Sequence, residues 1–144
     1  MKGYSNSKLN KIPIFILFLL ISACETKQTS TTSYNVTGHV QKGPFSQGTN
    51  IIIQELDNAL IPTGLLYSTS TTDYTGTFAV ASNLKSSMVE VVATGYYFNE
   101  VSGELSASPL TLRVYEDLSV SPHINVNILT SLAHDRIAVS VVFL

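Results

Sequence analysis

From Tyr34 onward, apolar and polar residues alternate with a period of two. The residues that share one face of the first such stretch are Tyr34, Val36, Gly38 and Val40. Because successive side chains of a strand point to opposite faces of a sheet, the alternation predicts a half-buried strand. Similar stretches predict further strands over residues 49–56, 66–71, 75–81, 88–97 and 109–116. The stretch 88–97 is apolar on both faces, as expected of a central strand.

Turn-forming residues separate the predicted strands. Glycine supplies unusual backbone dihedrals and proline fixes its own, so residues 42–48 and Pro62-Thr63-Gly64 are predicted to interrupt the chain, as is Asp57-Asn58. Five or six short strands with turns between them predict a mainly β fold. We expect an antiparallel Ig-like or prealbumin-like β-sandwich over residues 34–120.

The last segment, residues 121–144, has a different period. Asn127 can cap a helix because its side-chain oxygen can accept from the open amides of the first turn. Apolar residues then recur near helical spacing at Ile128, Leu129, Leu132 and Ile137. A short C-terminal helix is predicted from about Ile128. The apolar run 139–144 predicts either a further strand or a truncated form of a longer surface protein.

The N-terminal residues 1–23 have the layout of a secretory signal peptide. Three lysines and no acidic residue precede an apolar run over 14–21, and the small residues Ser22 and Ala23 follow it. The run is too short for a transmembrane helix, which needs about 20 apolar residues. Polar residues begin directly after Cys24, which disfavours a buried core helix. The pattern therefore predicts export and cleavage after Ala23.

The residues Ile21-Ser22-Ala23-Cys24 resemble the lipobox of bacterial lipoproteins. The resemblance implies that the Cys24 sulfur receives a diacylglyceryl group and that Cys24 becomes the new N-terminus. It is the only cysteine of the chain, so a disulfide is excluded, and no cofactor other than this covalent lipid is expected. One acyl chain holds a protein only reversibly, whereas two or three on one residue anchor it stably.

Residues 24–33 are predicted to be a lipidated cysteine followed by a polar, flexible tether. Removing residues 1–23 takes three lysines from a chain of net charge −2 and leaves −5, with ten acidic and five basic residues. That acidic balance disfavours a nucleic acid partner and electrostatic adhesion to anionic lipid. Membrane attachment through the lipid is expected. Glu25 follows the cysteine, whereas some inner-membrane lipoproteins of enteric bacteria carry a retention signal with aspartate there. The resemblance to lipoproteins therefore implies the outer membrane, facing the periplasm or the cell surface.

Two stretches of the mature chain resemble a domain family. Thr72-Asp73-Tyr74-Thr75-Gly76-Thr77-Phe78 resembles the T-D-x-x-G-x-F hairpin of carboxypeptidase-regulatory-like and prealbumin-like sandwiches. The opening strand 36–40 with its following Gly-Pro turn fits the start of such domains. Segments 95–103 and 125–130 are similar to parts of uncharacterised bacterial surface lipoproteins. The resemblance implies the fold and leaves the activity open, because such sandwiches serve as spacers, adhesion modules and accessory domains.

Residues with catalytic or metal-binding chemistry form no recognisable motif. His39, His123 and His134 are far apart and outside any H-x-H or H-E-x-x-H spacing, so each is expected at the surface or in a loop. Asp57 and Asp73 are expected in turns and Glu90 on a strand face. There is no G-x-S-x-G elbow. The chain is predicted not to be an enzyme and not to hold a metal ion.

The best candidate for binding is the aromatic segment Tyr96, Tyr97, Phe98, Asn99 and Glu100. Alternation would point Tyr97 away from Tyr96 and Phe98, so that one face is exposed to hold a sugar or a peptide. The competing interpretation is core packing with one tyrosine hydroxyl bonded to backbone.

The sequence therefore predicts a membrane-anchored envelope lipoprotein with a non-catalytic sandwich for binding a protein or glycan, or for spacing. The alternatives are an N-terminal fragment of a larger surface protein and, least favoured, an envelope enzyme.

Overall fold

Nine strands and one helix make up the part of the chain that the computed structural model describes, residues 33–142. In chain order they are β1 (Tyr34–Gln41), β2 (Asn50–Leu56), β3 (Pro62–Ser70), β4 (Thr77–Leu84), β5 (Met88–Gly95), β6 (Phe98–Asn99), β7 (Glu104–Leu105), β8 (Leu110–Asp117), β9 (His123–Asn127) and α1 (Ile128–Val142). The predicted signal peptide, Cys24 and the tether up to residue 32 lie outside this range. Within it, no helix is long and apolar enough to cross a membrane.

Two sheets form a sandwich around a shared apolar core. The strand order is β4-β1-β9 in one sheet and β3-β2-β5-β8 in the other, and β6 and β7 form a separate small hairpin. Every pairing is antiparallel except that of β1 with β9, which run parallel. The mainly β fold, the antiparallel sandwich and the C-terminal helix predicted from the sequence are confirmed.

The core sits where the alternating pattern predicts it. Val36 and Val40 of β1 are 1% and 0% exposed, and Leu112 and Val114 of β8 are 3% and 5% exposed. β5 lies between β2 and β8, which confirms the central strand. The largest side chains buried between the sheets are Phe45, Phe78, Ile51, Ile53, Leu84 and Ile124.

The predicted break at Pro62-Thr63-Gly64 is wrong, since these residues begin β3. Proline is tolerated there because β3 is an edge strand and Pro62 is its first residue, where no N–H has to be donated to the sheet. The reversal between β2 and β3 is built by Asp57 instead. Its Oδ1 accepts from the backbone N–H groups of Ala59 at 2.8 Å and Ile61 at 2.9 Å. The predicted turn role of Asp57 is confirmed.

The sandwich continues beyond residue 120. β9 pairs with β1, and its residues Ile124 and Val126 are both 0% exposed. The helix then begins at Ile128, as predicted. Asn127 Oδ1 accepts from the Thr130 N–H at 3.0 Å, and the Thr130 hydroxyl accepts from the Asn127 N–H at 2.8 Å. This reciprocal cap confirms Asn127 as the N-cap.

Helix α1 packs on β8 through its polar side. Ser131 Oγ accepts from the Arg113 N–H at 2.7 Å and donates to the Arg113 carbonyl at 3.1 Å. The helix thereby covers part of the β8 edge of the four-stranded sheet, where backbone groups would otherwise be unpaired. The apolar residues that predicted the helix point mostly to solvent, with Ile128 41%, Leu129 76%, Leu132 59% and Ile137 40% exposed.

Candidate binding groove

The predicted aromatic segment links β5 to the β6–β7 hairpin at one end of the sandwich. Tyr96 and Phe98 are 47% and 41% exposed. Tyr97 between them is half-buried and packs against the core, with its ring centroid 6.0 Å from that of Phe45. The exposed face of this segment is therefore formed by Tyr96 and Phe98, while Tyr97 has mainly a packing role.

An apolar groove of about 420 Å³ lies beside Phe98. Phe98 and Leu105 of the β6–β7 hairpin form part of its lining, and Tyr74 extends from the β3–β4 turn. The β1–β2 loop supplies Pro44, Phe45 and Ser46. Tyr74 and Leu105 are 73% and 60% exposed, whereas Phe45 is fully buried. We call this set of six residues the aromatic groove.

Backbone hydrogen bonds hold the groove-forming loops together. The Phe98 N–H donates to the Pro44 carbonyl and the Ser46 N–H donates to the Tyr96 carbonyl, both at 2.8 Å. The loops also approach closely at Gly43, where an added Cβ would lie 2.5 Å from the Phe98 carbonyl oxygen. These two backbone hydrogen bonds therefore hold the β1–β2 loop against the segment 96–98 that lines the groove.

The other residues of the predicted site have structural contacts. Lys42 Nζ donates to the Tyr97 hydroxyl at 2.6 Å and lies 4.1 Å from the centre of the Tyr97 ring, an arrangement that also permits a cation–π attraction. Asn99 Oδ1 accepts from the Val101 N–H at 3.1 Å within the hairpin. Glu100 is exposed and lines a separate, more polar cavity beside Lys42. Of the five predicted residues, only Phe98 lines the groove.

Tyr74 is presented by a turn that the sequence motif identifies. Asp73 Oδ1 accepts from the backbone N–H groups of Thr75 and Thr77 at 2.9 and 3.0 Å and from the Thr75 hydroxyl at 2.8 Å. These bonds, the one from the Thr77 N–H foremost, lower the pKa of Asp73 to about 2. The predicted turn role of Asp73 is confirmed, and the same turn carries Tyr74 at its exposed tip.

Sequence reasoning did not identify Tyr74 and Leu105 as site residues. Both residues had a weak local signal of a binding role. Tyr74 is a large aromatic residue within a tight polar turn, and Leu105 is a lone leucine among serines and acidic residues. A turn tip and a hairpin are usually solvated, so an apolar residue there lacks a packing reason. The neighbourhood of Phe98, Tyr74 and Leu105 follows from the tertiary structure.

His39 and His123 lie at the surface, as predicted, but they are not isolated, and His134 is buried. His39 of β1 and His123 of β9 lie side by side on the outer face of the three-stranded sheet, with His39 Nδ1 3.3 Å from His123 Nε2. The parallel pairing of their strands causes this approach. His134, on the side of α1 that faces the sheet, is 7% exposed, and its Nε2 lies 2.9 Å from Glu90 Oε1.

The Glu90–His134 contact fastens the helix to the four-stranded sheet. Arg113 Nη1 donates to the same Glu90 oxygen at 3.2 Å, and the Tyr115 ring stacks on His134 at a centroid distance of 4.2 Å. Burial, followed by the nearby Glu90 charge, raises the pKa of Tyr115. The strand position predicted for Glu90 is confirmed, and its partners come from β8 and α1.

Among residues 33–142, no group of three or more His, Cys, Asp and Glu side chains could hold a metal ion.

The fold and the groove define a mainly β sandwich that presents an apolar cleft at one end. No protein-family model, no curated protein and no solved structure matches the chain.

Proposed function

We propose that this protein is an envelope lipoprotein whose non-catalytic sandwich binds an apolar segment of a polypeptide partner in the aromatic groove. The observation that carries the proposal is the groove itself. Tyr74, Phe98 and Leu105 come from separate loops and expose large apolar surface around one cavity. Contiguous exposed apolar surface of this kind marks an interaction site more often than scattered single residues do.

A polypeptide suits this lining better than a glycan does. Five of the six groove residues are proline, leucine or aromatic, and Ser46 is the exception. The hydroxyl groups of a sugar need several hydrogen-bond partners, and a sugar that leaves them unmade on binding loses affinity. An apolar side chain needs none, and aromatic walls are typical of peptide and protein binding sites.

The arrangement of the acidic residues supports a binding role without catalysis. Asp57 and Asp73 use their carboxylates to hold turns, and Glu90 holds α1 on the sheet. None of these carboxylates is a member of the aromatic groove. These three carboxylates thus have structural partners of their own.

The strand order supports kinship with carboxypeptidase-regulatory-like and prealbumin-like sandwiches. In the immunoglobulin arrangement the first two strands are neighbours in one sheet. Here β1 and β2 lie in different sheets, which favours the prealbumin-like alternative. The T-D-x-x-G-x-F hairpin behaves as that resemblance implies, because Asp73 makes the turn and Phe78 is fully buried.

The anchoring part of the proposal comes from Cys24 and the residues before it. In a bacterial host, we expect the mature chain to begin at a diacylglyceryl-modified Cys24 and to sediment with the outer membrane. Cys24→Ser should abolish both the lipid and the cleavage before residue 24, because both reactions need the cysteine of the Ile21-Ser22-Ala23-Cys24 sequence. Mass spectrometry of the N-terminal peptide, with and without globomycin, measures both outcomes.

A matched control for the anchor is Ser30→Ala in the tether, which should keep lipid and membrane attachment. An unmodified N-terminus at a residue other than Cys24 would contradict the proposal. So would cleavage before residue 24 in Cys24→Ser that is as complete as in the original chain.

The groove is tested with peptides selected from a random phage-displayed library on the immobilised protein. We expect enriched peptides to contain Leu, Phe or Trp, and Phe98→Ala and Tyr74→Ala each to weaken their binding about tenfold, which corresponds to about 1.4 kcal/mol. Titration calorimetry with one synthesised peptide measures the change.

Val101→Ala is the control, since Val101 is 98% exposed on the same hairpin but does not line the groove. It should leave the affinity unchanged. Soluble peptidoglycan fragments form the second arm. If these bind and the groove variants abolish their binding, the partner is a glycan and not a polypeptide. If neither probe binds, the sandwich acts as a spacer.

A further inference from the structure

A pair of histidines lies on the outer face of the three-stranded sheet. His39 and His123 are 84 positions apart in the sequence and become neighbours through the parallel pairing of β1 and β9. Their side chains point away from the core, since the residues that alternate with them, Gly38 and Ile124, are buried. The two imidazoles are solvent-accessible and have no part in the proposed peptide binding.

The separation of the two facing nitrogens matches a metal chelate. His39 Nδ1 and His123 Nε2 are 3.3 Å apart, a separation that also allows a hydrogen bond between the two rings. Two imidazole nitrogens bound to one tetrahedral Zn²⁺ at about 2.0–2.1 Å stand about 3.3–3.4 Å apart. Neighbouring ligands of a square-planar ion at similar bond lengths stand only about 2.9 Å apart. The geometry favours zinc.

Thr37 fixes the orientation of one ligand. Its hydroxyl oxygen lies 3.2 Å from His123 Nδ1, the ring nitrogen that faces away from His39. When Nδ1–H donates to this oxygen, the lone pair of His123 is on Nε2 and points toward His39. Metal-binding histidines generally make such a hydrogen bond with their second nitrogen, which sets the tautomer and the ring orientation.

We propose that His39 Nδ1 and His123 Nε2 bind a zinc ion on this face of the sheet. Neutral imidazole is a strong ligand for Zn²⁺, and the rings do not stack, with centroids 5.3 Å apart and planes inclined at 59°. Asn125 lies opposite His39 in the strand register and is exposed, so its amide oxygen and water are available for the remaining positions. A site with two protein nitrogens and open positions binds zinc reversibly.

The test is isothermal titration calorimetry of ZnCl₂ into the full chain in detergent, prepared without a histidine tag. All proteins carry Cys24→Ser, so that the single thiol of the sequence cannot bind the metal. We expect one zinc ion per chain. His39→Ala and His123→Ala should each weaken binding by at least tenfold, because loss of a ligand costs no less than loss of an outer partner, which costs about 10–100-fold.

Two further variants separate the site from general effects of histidine loss. His134→Gln, which removes the buried histidine of α1, should bind zinc with unchanged affinity. Thr37→Val keeps the β-branched shape, and it should weaken binding about tenfold through loss of the orienting hydroxyl. The proposal is overturned if the starting protein binds no zinc, if the double variant His39→Ala/His123→Ala binds as tightly as the starting protein, or if His134→Gln loses as much affinity as His39→Ala.

Discussion

Replacing Phe78 with alanine is expected to lower the free energy of unfolding by about 3–5 kcal/mol. Phe78 is 0% exposed and lies on β4 directly opposite Gly38 of β1. A Cβ added at Gly38 would lie 2.5 Å from the Phe78 ring, so the ring fills the space above the glycine. Truncation would leave a cavity that two paired strands cannot close by moving together. Chemical denaturation followed by circular dichroism measures the loss.

The same substitution at an exposed phenylalanine is the control. Phe98 is 41% exposed at the aromatic groove, and Phe98→Ala should change the free energy of unfolding by less than about 1 kcal/mol. A loss at Phe78 as small as that at Phe98 would show that Phe78 is not a principal part of the core. The pair of variants also separates stability from binding, since only Phe98→Ala is expected to weaken peptide affinity while keeping the fold.

Replacing Gly76 with alanine should destabilise the sandwich by about 2–5 kcal/mol. Gly76 has a φ of 81°, a left-handed conformation that costs other residues about 1–2 kcal/mol. An added Cβ would also lie 2.2 Å from the carbonyl oxygen of Val40 on β1. That atom belongs to backbone in the sheet, and displacing well-packed neighbours costs about 1–3 kcal/mol more. The midpoint of urea denaturation reports the total.

Gly48 provides a close comparison for this effect. Its φ of 83° is nearly the same, but no heavy atom lies within 4 Å of an added Cβ. Gly48→Ala should therefore cost only the conformational part, about 1–2 kcal/mol. The difference between the two variants measures the close approach of the turn to β1. If Gly48→Ala lowered the free energy of unfolding as much as Gly76→Ala, the close contact with the Val40 carbonyl would contribute nothing to the loss.

Local patterns were sufficient to predict most of the strands. Alternation over 34–41 and 110–116 identifies strands whose inner residues, such as Val36 and Leu112, are buried. The Asp73 turn and the Asn127 cap were also predictable, because each depends on hydrogen bonds that reach no more than four residues along the chain. Signals of this range are complete within a short window of sequence.

The sequence patterns did not predict strand β9, because its pairing is not local. Its five residues alternate correctly, yet they precede a helix directly and pair in parallel with β1 at the other end of the domain. Helix α1 likewise shows that a local pattern does not identify contacts with distant strands. Its apolar spacing predicts a helix, but the residues that bind the sheet are Ser131 and His134, whose partners Arg113 and Glu90 lie on β8 and β5.

The amino-acid sequence by itself determines the β class of the fold, the turns and the start of the helix, because each depends on neighbouring residues. The export signal that ends before Cys24 stays a prediction. The tertiary structure decides which distant side chains meet. It brings Tyr74, Phe98 and Leu105 to one groove and His39 to His123. The physical reason is strand pairing and sheet packing, which place residues by register across the fold and are independent of their separation along the chain.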